Sequence, residues 1–181
     1  MAEHLLLVGM MGTGKSTVGR LVAARLGRPV VDTDDVVEQA AGTSVAAIFA
    51  TSGEAAFRRR EAEALQDVLA RDDACVVSVG GGAVLDPTNR AAMRRAGTVV
   101  WLRARPDTLE ARVGDDDGRP LLSGVGEGVA GALVRIDAER RPLYDELADE
   151  VVDVDGLDPD EVADRVLAVT GRAVRAQRDG R

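Results

Sequence analysis

The chain has 181 residues and a formal charge of −8, from 31 acidic against 23 basic side chains. That length fits one domain with a core able to fold unaided, and the acidic balance argues against nucleic acid as the main partner. The single cysteine, Cys75, excludes an internal disulfide, and the single histidine, His4, argues against histidine general-base and zinc chemistry. Nothing at the start resembles a secretory leader and no apolar stretch approaches membrane-spanning length, so the expectation is a cytoplasmic protein with no membrane partner.

In chain order, Leu5–Val8 is an apolar run that reads as a buried parallel strand. It leads into Gly9-Met-Met-Gly12-Thr13-Gly14-Lys15-Ser16-Thr17, which fits the pattern G-x-x-x-x-G-K-[ST]. Val18, Leu21, Val22 and Leu26 then recur at helical spacing up to Gly27. The glycines therefore fall between a strand and a helix N-terminus, where free N–H groups and the helix dipole favour a phosphate. Lys15 is the only lysine among 23 basic residues. A compact ammonium suits this cradle, whereas a planar guanidinium has a different shape. In this motif the lysine reaches the β/γ-phosphates and the Ser16 hydroxyl can hold Mg²⁺.

Further strands are predicted at 29–32, 74–79, 98–102 and 150–154. Helices are predicted at 34–40, 44–50, 54–70, 87–95, 106–113, 127–148 and 159–169. The alternation predicts an α/β fold, a parallel sheet covered on both faces. Asp86-Pro87 and Arg105-Pro106 look like helix starts with proline at the first position. Pro142, inside a helical pattern, should kink or break it. His4, at the start of the first strand, and Cys75, in an apolar run, read as structural residues. Residues 114–131 form a long glycine-rich charged segment, of a kind that is functional or disordered in compact domains. Arg172–Arg181 is a basic tail that reads as a frayed, solvated end.

Several short patterns carry chemistry. Asp32-Thr33-Asp34 follows the second strand and opens on the same crevice as the phosphate loop. On an extended backbone both carboxylates would share a face, one serving a hydrated metal and the other an acceptor hydroxyl. The alternative is an aspartate N-cap for a helix starting near Asp35, and the pattern does not decide between them. Phe57-Arg58-Arg59-Arg60-Glu61 lies on a long helix, where three consecutive arginines cannot share one face. Gly80-Gly81-Gly82 ends the third strand and lets a ligand approach the backbone. Arg119, in Gly118-Arg119-Pro120-Leu121-Leu122, and Arg140, in Arg140-Arg141-Pro142-Leu143-Tyr144, add guanidinium groups suited to phosphoryl transfer.

Taken as an ordered set, these motifs resemble the shikimate kinase family from about residue 4 to 170. The resemblance implies a P-loop three-layer sandwich with a five-stranded parallel sheet, a lid at about 112–124, and one kinase domain over 1–171. It implies transfer of the γ-phosphoryl group of ATP to the 3-hydroxyl of shikimate, with Mg²⁺, by a monomer. Gly12 to Thr17 would bind the nucleotide phosphates. Ser16 would hold the metal, Asp32 would support it through water, and Asp34 would orient or deprotonate the acceptor hydroxyl. Arg58 and Arg140 would clamp the shikimate carboxylate, and Gly80, Gly81 and Gly82 would line its site. Arg119 would be the lid arginine on the transferring phosphate. Arg112 and Pro159 would sandwich the adenine.

Overall fold

The computed structural model describes residues 3–113 and 128–179, with the backbone alone over 172–179. Strand β1 (His4–Val8) is followed by helix α1 (Lys15–Leu26), β2 (Val30–Asp32), α2 (Thr33–Ala41) and α3 (Val45–Leu69). Then come β3 (Val76–Ser78), a 3₁₀ turn (Ala83–Leu85), α4 (Pro87–Ala96), β4 (Gly97–Arg103) and α5 (Pro106–Val113). Helix α6 (Gly128–Leu147), β5 (Glu150–Asp153) and α7 (Pro159–Asp179) complete the described chain. The five strands form one parallel sheet in the order β2-β3-β1-β4-β5.

β1 is wholly buried because it pairs on both sides, Leu6 lying opposite Val77 of β3 and Val99 of β4. That explains its unbroken apolar sequence. Leu6, Leu7, Val77, Val100 and Leu102 are all 0 % exposed and anchor the main core. Each such side chain contributes roughly 1.5–3 kcal/mol on burial. A second apolar cluster, built on Val37, Ile48, Phe57 and Ala64, joins α2 to α3 beside the carboxyl end of the sheet. His4 and Cys75 are buried at the amino ends of β1 and β3, with His4 Nδ1 3.1 Å from the Cys75 sulfur.

Most predicted elements fall where the sequence puts them, and two differ. The helices expected at 44–50 and 54–70 are both present within α3, separated by a kink at Gly53, with φ 77° and ψ 171°. Pro142 does not break α6, which continues to Leu147. Ile136, Arg140, Tyr144 and Leu147 are buried on both sides of the proline, so packing outweighs the one backbone hydrogen bond it removes. Helix α7 runs to Asp179, through most of the segment expected as a solvated tail. Near its start, Arg25 of α1 ion-pairs with Asp160 and Asp164 at 2.6 and 2.8 Å. No helix among the described residues is long and apolar enough to cross a membrane.

Candidate active site

The loops after β1, β2 and β3 converge on a cleft of about 730 Å³, lined by residues from the phosphate loop, α2, α3 and the triple-glycine turn. Gly14 caps α1 in the left-handed region, φ 90° and ψ 17°, a conformation costly for any side chain. The buried Thr13 hydroxyl donates to the Met10 carbonyl at 2.8 Å and fixes the loop. Lys15 Nζ donates to the Gly9 and Met10 carbonyls at 2.9 and 3.0 Å, holding the ammonium over the concavity that receives phosphate.

Of the two readings left open by the sequence, Asp32 takes the N-cap, and it also bonds Ser16. Its Oδ1 accepts from the Asp34 N–H at 3.1 Å and caps α2, while its Oδ2 accepts from the Ser16 hydroxyl at 2.6 Å. Asp34 therefore stands in the first turn of a helix that begins at Thr33, not on the extended backbone the spacing suggested. The N-cap starts the helix two residues before Asp35. Asp34 Oδ1 is shut off from solvent and has no hydrogen-bond partner among the described residues. Burial pushes its carboxyl up to about 6, helped by the charges of Asp32 and Glu61 and opposed by Lys15 and Arg58.

Arg58 donates to Glu61 at 2.7 Å and to Glu54 at 3.1 Å. Burial pulls its pKa down, but the two glutamates outweigh that and hold it above the ordinary range. Glu61 is 2 % exposed, and burial raises its carboxyl more than Arg58 lowers it. Arg140, on α6, is 3 % exposed, and among the described residues its Nε and Nη1 have no hydrogen-bond partner. Unpartnered buried guanidinium nitrogens facing a cleft are what an anionic ligand satisfies. Arg59 and Arg60 are exposed, so Arg58 is the member of the triplet that turns inward.

The triple glycine is where these groups meet. A Cβ on Gly80 would lie 2.5 Å from Glu61 Oε1 and 2.7 Å from Asp34 Oδ1. One on Gly81 would lie 3.5 Å from Arg140 Nη1, and one on Gly82 would overlap the Arg58 guanidinium. Gly82→Ala is expected to push Arg58 aside and raise the KM for the acceptor acid, leaving the ATP KM near its parental value. Steady-state kinetics with each substrate varied in turn checks this.

Arg112 lines the cleft and donates to the Val154 and Leu157 carbonyls at 3.1 and 3.4 Å. It is thereby tied to the loop that leads into Pro159, the first residue of α7, although Pro159 itself is not part of the cleft wall. Arg119 lies outside the described residues, as does all of the expected lid except Arg112 and Val113. The pairing of the arginine triplet with glutamates at helical spacing falls to Arg58, which Glu61 and Glu54 hold. Sequence reasoning missed two contacts: Thr33 accepts the Gly80 N–H at 2.8 Å, and Tyr144 donates to the Gly81 carbonyl at 2.6 Å.

The family model described as Shikimate kinase matches residues 11–170. The chain belongs to the shikimate kinase family. It is 52% identical over 147 residues to the shikimate kinase of Symbiobacterium thermophilum, covering 80% of this chain and 83% of that one. It is 44% identical over 163 residues to the shikimate kinase of Moorella thermoacetica, covering 90% and 91%. The solved shikimate kinase from Acinetobacter baumannii in complex with shikimate superposes with a TM-score of 0.90 at 32% identity, covering 96% of this chain and 95% of that one. A gluconokinase from Sinorhizobium meliloti shares the fold alone, with a TM-score of 0.59 at 18% identity. As a shikimate kinase the enzyme is an ATP-dependent phosphotransferase built on a P-loop.

Proposed function

We propose that this enzyme carries the γ-phosphoryl group of ATP to the 3-hydroxyl of shikimate, with the roles divided along the cleft as follows. Lys15 and the N–H groups of Gly12 to Thr17 hold the nucleotide phosphates at the N-terminus of α1. Arg58 and Arg140 bind the acceptor carboxylate, and Gly80 to Gly82 leave room for its ring. Asp34 receives the acceptor hydroxyl, orients it and takes up its proton. The observation that carries this reading is the pairing of unsatisfied groups: two free nitrogens on buried Arg140 and a free oxygen on Asp34, in one cleft beside the P-loop. A small hydroxy acid satisfies both kinds.

The hard-oxygen pair of Ser16 and Asp32, 2.6 Å apart at the N-terminus of α1, fits Mg²⁺. Among the described residues no cluster of three or more acidic, histidine or cysteine ligands is present. Ser16 would hold Mg²⁺ and Asp32 would support it through water, and the ion would supply neutralising charge to the phosphates. Arg112, with Pro159 beyond the loop it braces, faces the adenine, and Arg119 meets the transferring phosphate. The enzyme works as a cytoplasmic monomer with no nucleic-acid or membrane partner.

Asp34→Asn tests the acceptor role. It should impair both shikimate binding and kcat, because the amide keeps the size but loses the charge and the basicity. Its stability should move the other way. The folded state holds the Asp34 proton up to about pH 6, against an ordinary value of 3.8. Its contribution therefore favours folding at low pH and is lost as the pH rises through 6. Above that, ionised Asp34 destabilises the fold by on the order of 3 kcal/mol. In metal-free enzyme Asp34→Asn should be more stable than the parent above about pH 7, and the two should converge toward about pH 4. Denaturant melts across that range check the prediction, and a neutral-pH loss of stability would contradict it.

A further inference from the structure

We propose that Tyr144 is a positioning residue for the acid end of the acceptor site: its hydroxyl fixes the Gly81 peptide and, beside it, the Arg140 guanidinium. The inference rests on the reading of Arg140 as part of the carboxylate clamp. Tyr144 is 0 % exposed and is not part of the cleft wall, so it acts through other groups. It follows Arg140 by one helical turn on α6, which stacks the two side chains on the same face. Its hydroxyl donates to the Gly81 carbonyl at 2.6 Å. The position of a Gly81 Cβ lies 3.5 Å from Arg140 Nη1 and 3.6 Å from the Tyr144 oxygen, so phenol, guanidinium and glycine backbone meet at one point.

The phenol ring is held from behind. Trp101 of β4 stacks on it, with centroids 5.7 Å apart and an interplanar angle of 25°. The indole is in turn faced by Arg103 and Arg141 at 5.5 and 5.6 Å. Burial pushes the Tyr144 pKa far up, against the opposing charge and hydrogen bond of Arg140, so the hydroxyl stays protonated and donates to the carbonyl. The need for such a brace is local. The Thr33 hydroxyl holds the Gly80 N–H and the 3₁₀ turn holds the Gly80 and Gly82 carbonyls, while the Gly81 carbonyl accepts from Tyr144. Among the described residues Arg140 Nε and Nη1 have no hydrogen-bond partner, so few contacts orient its head. A fixed Gly81 carbonyl and a stacked phenol supply that orientation before the acid arrives, which reduces the ordering required on binding.

Tyr144→Phe removes the hydroxyl and keeps the ring on Trp101. The expected result is a rise of about tenfold in shikimate KM and dissociation constant, with kcat and ATP KM within about twofold, the size of one hydrogen bond. The effect should shrink to about twofold or less when Arg140 is already lysine, because coupled residues are non-additive. Trp101→Phe, which loosens the ring without removing the hydroxyl, should raise shikimate KM in the same selective way by a smaller factor, and it decides the matter if Tyr144→Phe does not fold. Unchanged shikimate affinity, equal losses for ATP, or full additivity with Arg140→Lys would overturn the inference. If Arg140→Lys itself leaves shikimate affinity intact, the carboxylate clamp has failed; if it weakens shikimate and Tyr144→Phe does not, only the positioning role has.

Discussion

Lys15→Ala is expected to lower kcat by on the order of 10²–10³-fold or more, the cost of removing one preorganised donor from a developing charge, while the protein stays folded. Lys15 contributes nothing to the apolar core; its ammonium rests on the Gly9 and Met10 carbonyls in the phosphate cradle. Those carbonyls hold the ammonium in place ahead of the reaction, so its stabilisation of phosphate needs little rearrangement. Lys15→Arg should also be poor, since a guanidinium spreads its charge over a plane too broad for the turn. ADP release at saturating ATP and shikimate, with a thermal melt to certify folding, is the check. A near-parental kcat would remove the P-loop from the mechanism.

Arg140→Ala should weaken shikimate binding by about 2–5 kcal/mol, the cost of truncating one partner of a desolvated charge pair. ATP affinity should change far less. Arg140 is the cleaner member of the proposed clamp because its Nε and Nη1 have no hydrogen-bond partner among the described residues. Arg58→Ala should give a comparable loss of shikimate binding but also destabilise the fold by about 3–5 kcal/mol, because it leaves buried Glu61 without its cation. Arg59→Ala, at an exposed position, should be nearly silent. Calorimetric titration of each variant with shikimate, alongside denaturant melts, separates these outcomes. A critical Arg59 and a dispensable Arg58 would shift the clamp by one residue.

What the sequence revealed and what it hid follow from the range of the interactions. The phosphate loop, the Asp32-Thr33-Asp34 turn and the triple glycine were legible because each is a local constraint: a backbone conformation, a cap or a missing side chain. Their convergence followed from parallel strands, whose carboxyl ends share one edge. The groups that brace the cleft were not legible. Thr33 reaches Gly80 across 47 residues, and Tyr144 reaches Gly81 across 63. No spacing rule encodes such pairs. Pro142 misled for a related reason, since its local cost is real but the buried residues flanking it decide the outcome. The Asp32-Thr33-Asp34 spacing fitted an extended turn and an N-cap equally, and the Asp32 cap, which starts α2 at Thr33, is what forms.

Phosphorylation of the shikimate 3-hydroxyl in this cleft is read out by phosphorus–proton NMR of the product formed from ATP, Mg²⁺ and shikimate, with gluconate as the parallel acceptor. The expected product is one phosphate ester, coupled to the proton on the carbon bearing the 3-hydroxyl, with no ester on gluconate. ATP consumed without that ester, or an ester on gluconate in its place, would contradict it.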